Sequence, residues 1–260
     1  MKTSTHAAKN KIRLLRDVRR HKELPYYTEI LKGSKRLEAW KLHAETYIRN
    51  TDIDESYLDH RGVIKDEIDT YRPQSIYFGV RSHDDPGALY ATGRFIMVNR
   101  GAGLKSLQFD IDDLSPTLQK RLYKLDPKKV AEPASLVKKK GAPSIVTLYL
   151  FREMLRYSME HDIQTWVFTL NPGMQRSYEA RFGHALTRLG TKMIHSGQYR
   201  HEYIPYMMDV SQVKEHFISA PKTWLQSLGH DALVDFMFGD YVAVEHDFEK
   251  ATAKALPSNP

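Results

Sequence analysis

Apolar and polar positions along this chain fall into blocks of recognisable period. Between Lys35 and Asn50, Leu37, Trp40, Ala44, Tyr47 and Ile48 recur at helical spacing and predict an amphipathic helix. Two runs rich in strand formers follow, Ser75–Arg81 and Ala88–Val98. The turn chemistry of His83-Asp-Asp-Pro-Gly87 between them predicts an antiparallel hairpin. Residues 99–129 read as loop and a short helix over Ser115–Lys124, with Ser115 as cap ahead of Pro116. Val130–Val137 reads as a strand with an embedded carboxylate, Ser144–His161 as a long amphipathic helix, and Ile163–Leu170 as an apolar strand. A proline-initiated helix carrying Tyr178 then runs into Phe182-Gly183, and Thr191–Ser196 and Tyr199–Met208 suggest a last hairpin across Gly197. Paired strands followed by strand–helix–strand–helix–strands predict an α+β fold, a mixed central sheet flanked by helices.

The two ends of the chain break this pattern. Residues 1–34 are polar and basic and read as an N-terminal arm, with a short helix around Lys11–His21. Asp52–Asp69 is acidic and irregular, with a short helix after Asp54. Residues 216–260 read as a C-terminal helical appendage, broken at Gly229-His230 and ending in a loose tail. The expected organisation is therefore an arm (1–34), one domain (35–215) and an appendage (216–260), with no internal repeat.

Composition narrows the chemistry. The 260 residues include no cysteine, which excludes disulfides, thiol nucleophiles and thiolate metal sites and makes a reducing cytoplasm the simplest home. No window approaches about eighteen uninterrupted apolar residues, so no membrane span is expected. The basic segment Met1 to Lys22 has no apolar run after it and does not read as a secretory signal. The formal charge of +7 is concentrated in Lys9–Lys22 and in Lys138-Lys139-Lys140. Such patches attract nucleic acid, anionic lipid or an acidic carrier protein, although a solvated tail and a solvated loop explain either run equally well.

The chemistry-bearing residues come in a telling order. Asp66-Glu67-Ile68-Asp69 precedes the Ser75–Arg81 strand; Ala91-Thr-Gly-Arg-Phe-Ile96 puts Arg94 on the next one; Glu132 lies on the strand after; and Asn171-Pro172 leads through Tyr178 to Phe182-Gly183. Over roughly residues 35–210 this order resembles the GNAT acyltransferase superfamily. Within it, the chain is most similar to long-chain N-acyl amino acid synthases and acyl-homoserine-lactone (autoinducer) synthases. The resemblance implies an N-acyltransferase that moves a fatty acyl group from acyl carrier protein to the amine of an amino acid or similar small acceptor. Two departures refine it. The coenzyme-A loop of the superfamily is glycine-rich because bare backbone amides cradle a pyrophosphate. Here Lys139-Lys-Gly-Ala-Pro-Ser-Ile-Val-Thr147 has a single glycine, which favours the carrier protein over acyl-CoA or acetyl-CoA. Homoserine-lactone synthases tend to show Glu-x-Ser-Arg, whereas Glu132-Pro-Ala-Ser-Leu136 has no arginine, which favours the N-acyl amino acid synthases.

What the resemblance implies for single residues stands beside plainer readings. Glu132 is the candidate base, since a strand carboxylate is partly desolvated and its pKa rises; the alternative is a structural pair with Arg94. Tyr178 is the candidate acid on the leaving sulfur, or else a packing tyrosine. Backbone amides around Ser135–Val137 would form the oxyanion site, with Pro133 removing one donor. Asp66, Glu67 and Asp69 would recognise an acceptor ammonium, or else hold Arg94 and the first helix; the alternative for Arg94 is the fork for an acceptor carboxylate. Trp40, Tyr47, Phe95, Phe109, Trp166 and Phe168 would line an acyl channel or fill the core. Lys138, Lys139, Lys140 and Ser144 would meet an acidic donor. No histidine pair at helical spacing supports a metal, and no tightly bound cofactor is expected. The competing functions are an acetyl-CoA-dependent N-acetyltransferase and a non-catalytic nucleic-acid-binding protein. Nucleic acid is the weaker partner, for want of a helix-turn-helix or ribonucleoprotein motif; an anionic membrane surface is a further candidate.

Overall fold

A computed structural model describes residues 25–108, 111–190, 203–219 and 236–238. The chain divides into two compact units, Arg20–Ala220 and a second made of Met1–Arg19 with Pro221–Pro260. Of the second unit only the helical turn at 236–238 is described. The predicted helix around Lys11–His21, the Gly229-His230 break, the tail and the predicted strand Thr191–Ser196 lie outside the described residues.

The larger unit is built on one seven-stranded sheet. Its strands are β1 (Tyr26–Leu31), β2 (Ser75–Ser82), β3 (Leu89–Met97), β4 (Val130–Lys138), β5 (Thr165–Leu170), β6 (Leu186–Arg188) and β7 (Ile204–Asp209), in the order β1-β2-β3-β4-β5-β7-β6. All neighbours are antiparallel except β4 and β5, which run parallel, so the sheet is mixed and the fold α+β as predicted. The helices are α1 (Lys35–Arg49), α2 (Pro116–Leu122), α3 (Ile145–Glu160), α4 (Gln175–Phe182) and α5 (Val210–Ser219). No helix among the described residues is long and apolar enough to cross a membrane.

Two elements differ from expectation. Tyr26–Leu31, read as part of the arm, is the edge strand β1, paired with β2 across about fifty residues of sequence. The last antiparallel pair is formed by Leu186–Arg188 with β7, and Tyr203 precedes the strand that Tyr199–Met208 was to make.

The α1 helix also turns a different face inward. Its buried residues are Ala39, Leu42, His43, Ala44 and Thr46, whereas Trp40 and Tyr47 are only partly buried. Two polar side chains, His43 and Thr46, thus point toward the sheet. On the face covered by α3, Phe78, Phe95, Phe151 and Trp166 pack edge to face with centroids 5.2–5.3 Å apart. Trp166 is buried, and its indole Nε1 donates to Ser158 Oγ at 2.9 Å, so the polar atom of this large side chain is satisfied.

Candidate active site

The β4–β5 pair is where the sheet opens. Their parallel register extends only over Val130↔Thr165 and Ala131↔Trp166, and beyond Ala131 no pairing joins them. A cavity of about 480 Å³ occupies the opening. One wall is β4 from Glu132 to Val137, the other β5 from Trp166 to Leu170, with Asn171 beyond it. The C-terminal end of α1 (Thr46, Tyr47, Asn50), Asp52 and Gln108 contribute polar lining. Phe151, Trp166, Phe168 and Leu136 contribute apolar lining.

The three residues read as catalytic meet here. Glu132 pairs with Ile96 of β3, lines the cavity and is 2% exposed. Tyr178 reaches the cavity from α4, 7% exposed, its ring tilted against Phe168 and Phe182. Ser135 lines the cavity from β4 in an unusual conformation, φ 56°, left-handed for a non-glycine residue. The cause is a β-bulge: Thr92 pairs with Val137 but Arg94 with Ala134, so Ser135 and Leu136 stand opposite Gly93 alone. Gly93 is needed there, because a Cβ on it would come within 2.8 Å of Leu136 Cδ2 and 3.2 Å of Leu150 Cδ2. The bulge turns the backbone of residues 135 and 136 out of the regular ladder beside the cavity, where amides could meet a carbonyl oxygen.

Trp166 and Phe168, expected on the acyl channel, line the cavity, as does Tyr47. Other expected substrate contacts do not. Arg94 is 1% exposed, and its Nη1 donates to both oxygens of Asp69 at 2.8 Å and to Tyr77 Oη at 3.2 Å. Asp69 also pairs with Arg72 Nε at 3.4 Å, while Asp66 takes a hydrogen bond from Arg72 Nη1. The guanidinium of Arg94 and the carboxylates of Asp66 and Asp69 are thus engaged with one another's network, outside the cavity lining. Arg94 Nη2 reaches the lining residue Gln108, 3.4 Å from its side-chain oxygen. Trp40 stacks over Arg72, 4.7 Å from guanidinium to ring centre, and Phe95 belongs to the aromatic core. Aromatic type alone cannot tell a lining ring from a packing one.

The expected donor contacts lie on the turn between β4 and α3, away from the cavity lining. Lys138 Nζ donates to the Ala142 carbonyl at 2.7 Å, Lys139 stands 6.0 Å from the Tyr90 ring, and Lys140 and Ser144 are exposed. Phe109 lies outside the described residues.

Sequence reasoning missed Thr46, Asn50, Asp52, Gln108, Phe151, Met174 and Tyr203, which the fold gathers from five separate segments. Among the described lining residues the carboxylates are Asp52 and Glu132, and there is no lysine or arginine. It missed His43 as well. This side chain is 3% exposed on the inner face of α1. Burial first, then the nearby Arg94 and Arg72 guanidinium groups, hold its pKa well below 6.5, against a backbone hydrogen bond with Ser135 that acts to raise it. No group of three or more potential metal ligands occurs among the described residues.

With that geometry in place, comparison with known proteins is informative. The family model described as N-acyl amino acid synthase FeeM matches residues 38–194. Among solved structures, the chain is similar to FeeM, an N-acyl amino acid synthase from uncultured soil microbes. That match has 19% identity and a TM-score of 0.56 and covers 73% of this chain and 93% of the other. It is also similar to BjaI, a CoA-dependent acyl-homoserine lactone synthase solved with SAM and isopentyl-CoA, at 12% identity and a TM-score of 0.52, over 74% of this chain and 87% of the other. A search of curated protein sequences finds no match. At such identities the structural likenesses establish a shared fold.

Proposed function

The chain belongs to the N-acyl amino acid synthase FeeM family and is an N-acyltransferase, and from that premise we propose that it moves a fatty acyl group from acyl carrier protein to the amine of an amino acid or similar small acceptor. The observation that supports this most is the mixed lining of the cavity. Its apolar residues, Leu136, Phe151, Trp166 and Phe168, suit an acyl chain, and its two carboxylates, Asp52 and Glu132, with no cation among the described lining residues, suit an ammonium ion. Glu132 and Tyr178 both line this cavity.

In this reading Glu132 takes a proton from the acceptor ammonium. The freed nitrogen lone pair attacks the thioester carbonyl carbon, and the carbonyl π electrons move onto oxygen. Backbone amides of the β4 bulge stabilise that oxyanion. Collapse re-forms the carbonyl and breaks the carbon–sulfur bond, and Tyr178 protonates the departing thiolate. The products are an amide and a free thiol: the second proton that the attacking nitrogen loses on becoming an amide restores Tyr178 through solvent, and the proton held by Glu132 is released to solvent. The carrier protein is favoured as donor because the Lys139–Thr147 turn has one glycine and three adjacent lysines for an acidic partner. Acyl-CoA is the competing donor, since BjaI, which shares the fold, is CoA-dependent. The cysteine-free chain fits a cytoplasmic setting, where both donors occur.

The test is direct. Purified protein is incubated with a series of fatty acyl-carrier proteins or acyl-CoAs and a mixture of common amino acids and simple amines, and products are read by mass spectrometry. N-acyl amino acids formed faster from the carrier protein support the reading. Faster turnover of acyl-CoA reverses the donor assignment, and no new amide from either donor overturns the function.

A further inference from the structure

The α4 helix that carries Tyr178 has little of its own to fix its orientation. It is eight residues long, too short to stand on its backbone hydrogen bonds, and no side chain caps its N-terminus. Tyr178 and Phe182, one turn apart, are both buried, and Phe182 stacks on Phe151 with ring centres 4.8 Å apart. Two rings on a single stripe leave a short helix able to roll about its axis. An attachment away from that stripe would stop the roll.

Glu179 makes one. Successive helical residues lie about 100° apart around the axis, so Glu179 stands off the stripe of Tyr178 and Phe182. Its Oε1 accepts from Tyr206 Oη of β7 at 2.8 Å and from Gln175 Nε2, one turn back on α4, at 2.9 Å. Tyr206 pairs with Phe168 across β5 and β7, and their rings stack 6.2 Å apart at an interplanar angle of 26°. Phe168 lies against Tyr178 in turn, 6.4 Å between ring centres, and both line the cavity. Sheet and helix are thus joined twice, by the ring row Tyr206–Phe168–Tyr178 and by the Tyr206–Glu179 hydrogen bond. Tyr206 is 1% exposed, and a phenylalanine would serve its stacking; what the hydroxyl adds is the bond to Glu179. Hydrogen bonds from Gln175 and then Tyr206 hold the Glu179 carboxyl below its ordinary range. Burial, then Glu179, pushes the Tyr206 phenol up to about 12, so across neutral pH one partner stays a donor and the other a charged acceptor.

We propose that Tyr206 and Glu179 are positioning residues, whose hydrogen bond sets the rotation of α4 and so holds the Tyr178 hydroxyl where the thiolate leaves. The proposal rests on the N-acyltransferase reading of this cavity and on Tyr178 as its acid. It assigns neither residue a proton transfer or a contact with substrate.

The leaving group supplies the test. Wild type, Tyr206→Phe, Glu179→Ala and Glu179→Gln are given saturating acceptor and two donors with one acyl chain, a thioester of N-acetylcysteamine and a thioester of 4-nitrothiophenol. The aryl thiolate departs without a proton, so only the alkyl donor needs the acid. On the alkyl donor, Tyr206→Phe and Glu179→Ala should lose about 5- to 20-fold in kcat; on the aryl donor both should stay within about 3-fold of wild type. Glu179→Gln keeps the Oε1 acceptor and should recover most of the loss. Acceptor KM should hold within about 3-fold, and Tyr206→Phe should cost nothing further in a Tyr178→Phe background. Equal losses on both donors, the mark of a merely structural role, or no loss on the alkyl donor, overturns the proposal. A second readout needs no turnover. In protein labelled with ¹³C in its tyrosine rings, the Tyr178 signal is assigned by its loss in Tyr178→Phe. It should move in both Tyr206→Phe and Glu179→Ala and stay near its place in Glu179→Gln. A Tyr178 signal that ignores the first two substitutions overturns the tether. A wild type that makes no amide from any thioester, but shows this pattern, overturns the functional reading while supporting the tether.

Discussion

Replacing Asp69 by alanine should cost this fold more stability than it costs the reaction. Asp69 is 9% exposed and answers two guanidinium groups, with both carboxylate oxygens 2.8 Å from Arg94 Nη1 and one of them 3.4 Å from Arg72 Nε. Arg94 is 1% exposed, so once Asp69 is gone its charge cannot turn to water without breaking the core. Removing one partner of such a buried pair typically costs about 3–5 kcal/mol. With a urea slope on the order of 3 kcal/mol per molar, the unfolding midpoint should fall by about 1–2 M. Asp69→Asn, which leaves a neutral acceptor for Arg94, should lose less. The assay is urea unfolding followed by tryptophan fluorescence and circular dichroism. The double variant Asp69→Leu with Arg94→Met should recover much of the loss, since replacing both members by apolar groups removes the two buried charges together. Michaelis constants for the acceptor should change little in any folded variant, because neither residue lines the cavity. An Asp69→Ala protein that unfolds at the wild-type midpoint but has a much weaker acceptor KM would refute this reasoning and return Asp69 to the substrate.

Glu132→Gln should cut kcat by about 100-fold or more and Tyr178→Phe by about 10- to 100-fold, both with near-native melting curves; full activity in either removes that residue from the mechanism. Gly93→Ala should push Leu136 from its seat over β3 toward the cavity, shift the preferred acyl chain to a shorter one, and leave acceptor specificity unchanged, as a chain-length profile would show. His43 adds a pH signature. Its folded pKa lies well below 6.5, so below that pH the unfolded chain binds more protons and stability falls as pH falls, by up to about 1.4 kcal/mol per pH unit until the folded ring itself titrates. Arg94 and Arg72 are the charges that act on it and stay charged throughout. Melting curves between about pH 7 and pH 5 should therefore be flatter for His43→Phe than for wild type; equal slopes would show that His43 titrates as an ordinary histidine.

Local signals in the sequence were reliable where neighbours along the chain decide the structure. The β2–β3 hairpin follows from its strand formers and the His83–Gly87 turn, and α3 from its apolar period between Ser144 and His161. The glutamate on β4 and the tyrosine of α4 were legible because their spacing is set by those same elements. Partnerships formed across the sheet were not. Tyr26–Leu31 gains its strand only by pairing with β2, and its own burial is mostly partial. The α1 stripe of Leu37, Trp40, Ala44, Tyr47 and Ile48 misplaced the buried face, because the polar His43 and Thr46 are buried with Ala39, Leu42 and Ala44, Thr46 at the cavity. Asn50, Asp52 and Gln108 sit in polar loops where nothing local distinguishes a cavity lining from solvated surface. For Arg94 the sequence offered Glu132, the carboxylates of Asp66, Glu67 and Asp69, and an acceptor carboxylate; the close bidentate approach of Asp69 appears only in the fold.

Two residues of β4 break the rules of a central strand, and both breaks fall at the opening. Proline removes a ladder donor, and within sheets it is confined to edges, strand starts and bulges. Pro133 nonetheless sits in the fourth strand of seven, two residues past the last parallel pair with β5. It keeps its place opposite Phe95 on the β3 side. Toward β5 a continued ladder would need N–H donors from just this stretch, so a proline there works against closure. Ser135, two residues on, leaves the ladder on the other side through its left-handed φ and the bulge against Gly93. A strand that cannot pair onward with β5 and is offset against β3 has backbone to spare, and both irregularities border the same cavity. Elsewhere β4 and β5 follow the usual preferences, with Val130, Ala131, Trp166 and Val167 buried in the regular part of the sheet. Local conflict concentrated at one place in an otherwise consistent fold is what a functional site leaves in a sequence. The pair Pro133 and Ser135, just past the base candidate Glu132 and lining the same cavity as the tyrosine of α4, marks that place more specifically than either residue's chemistry does alone.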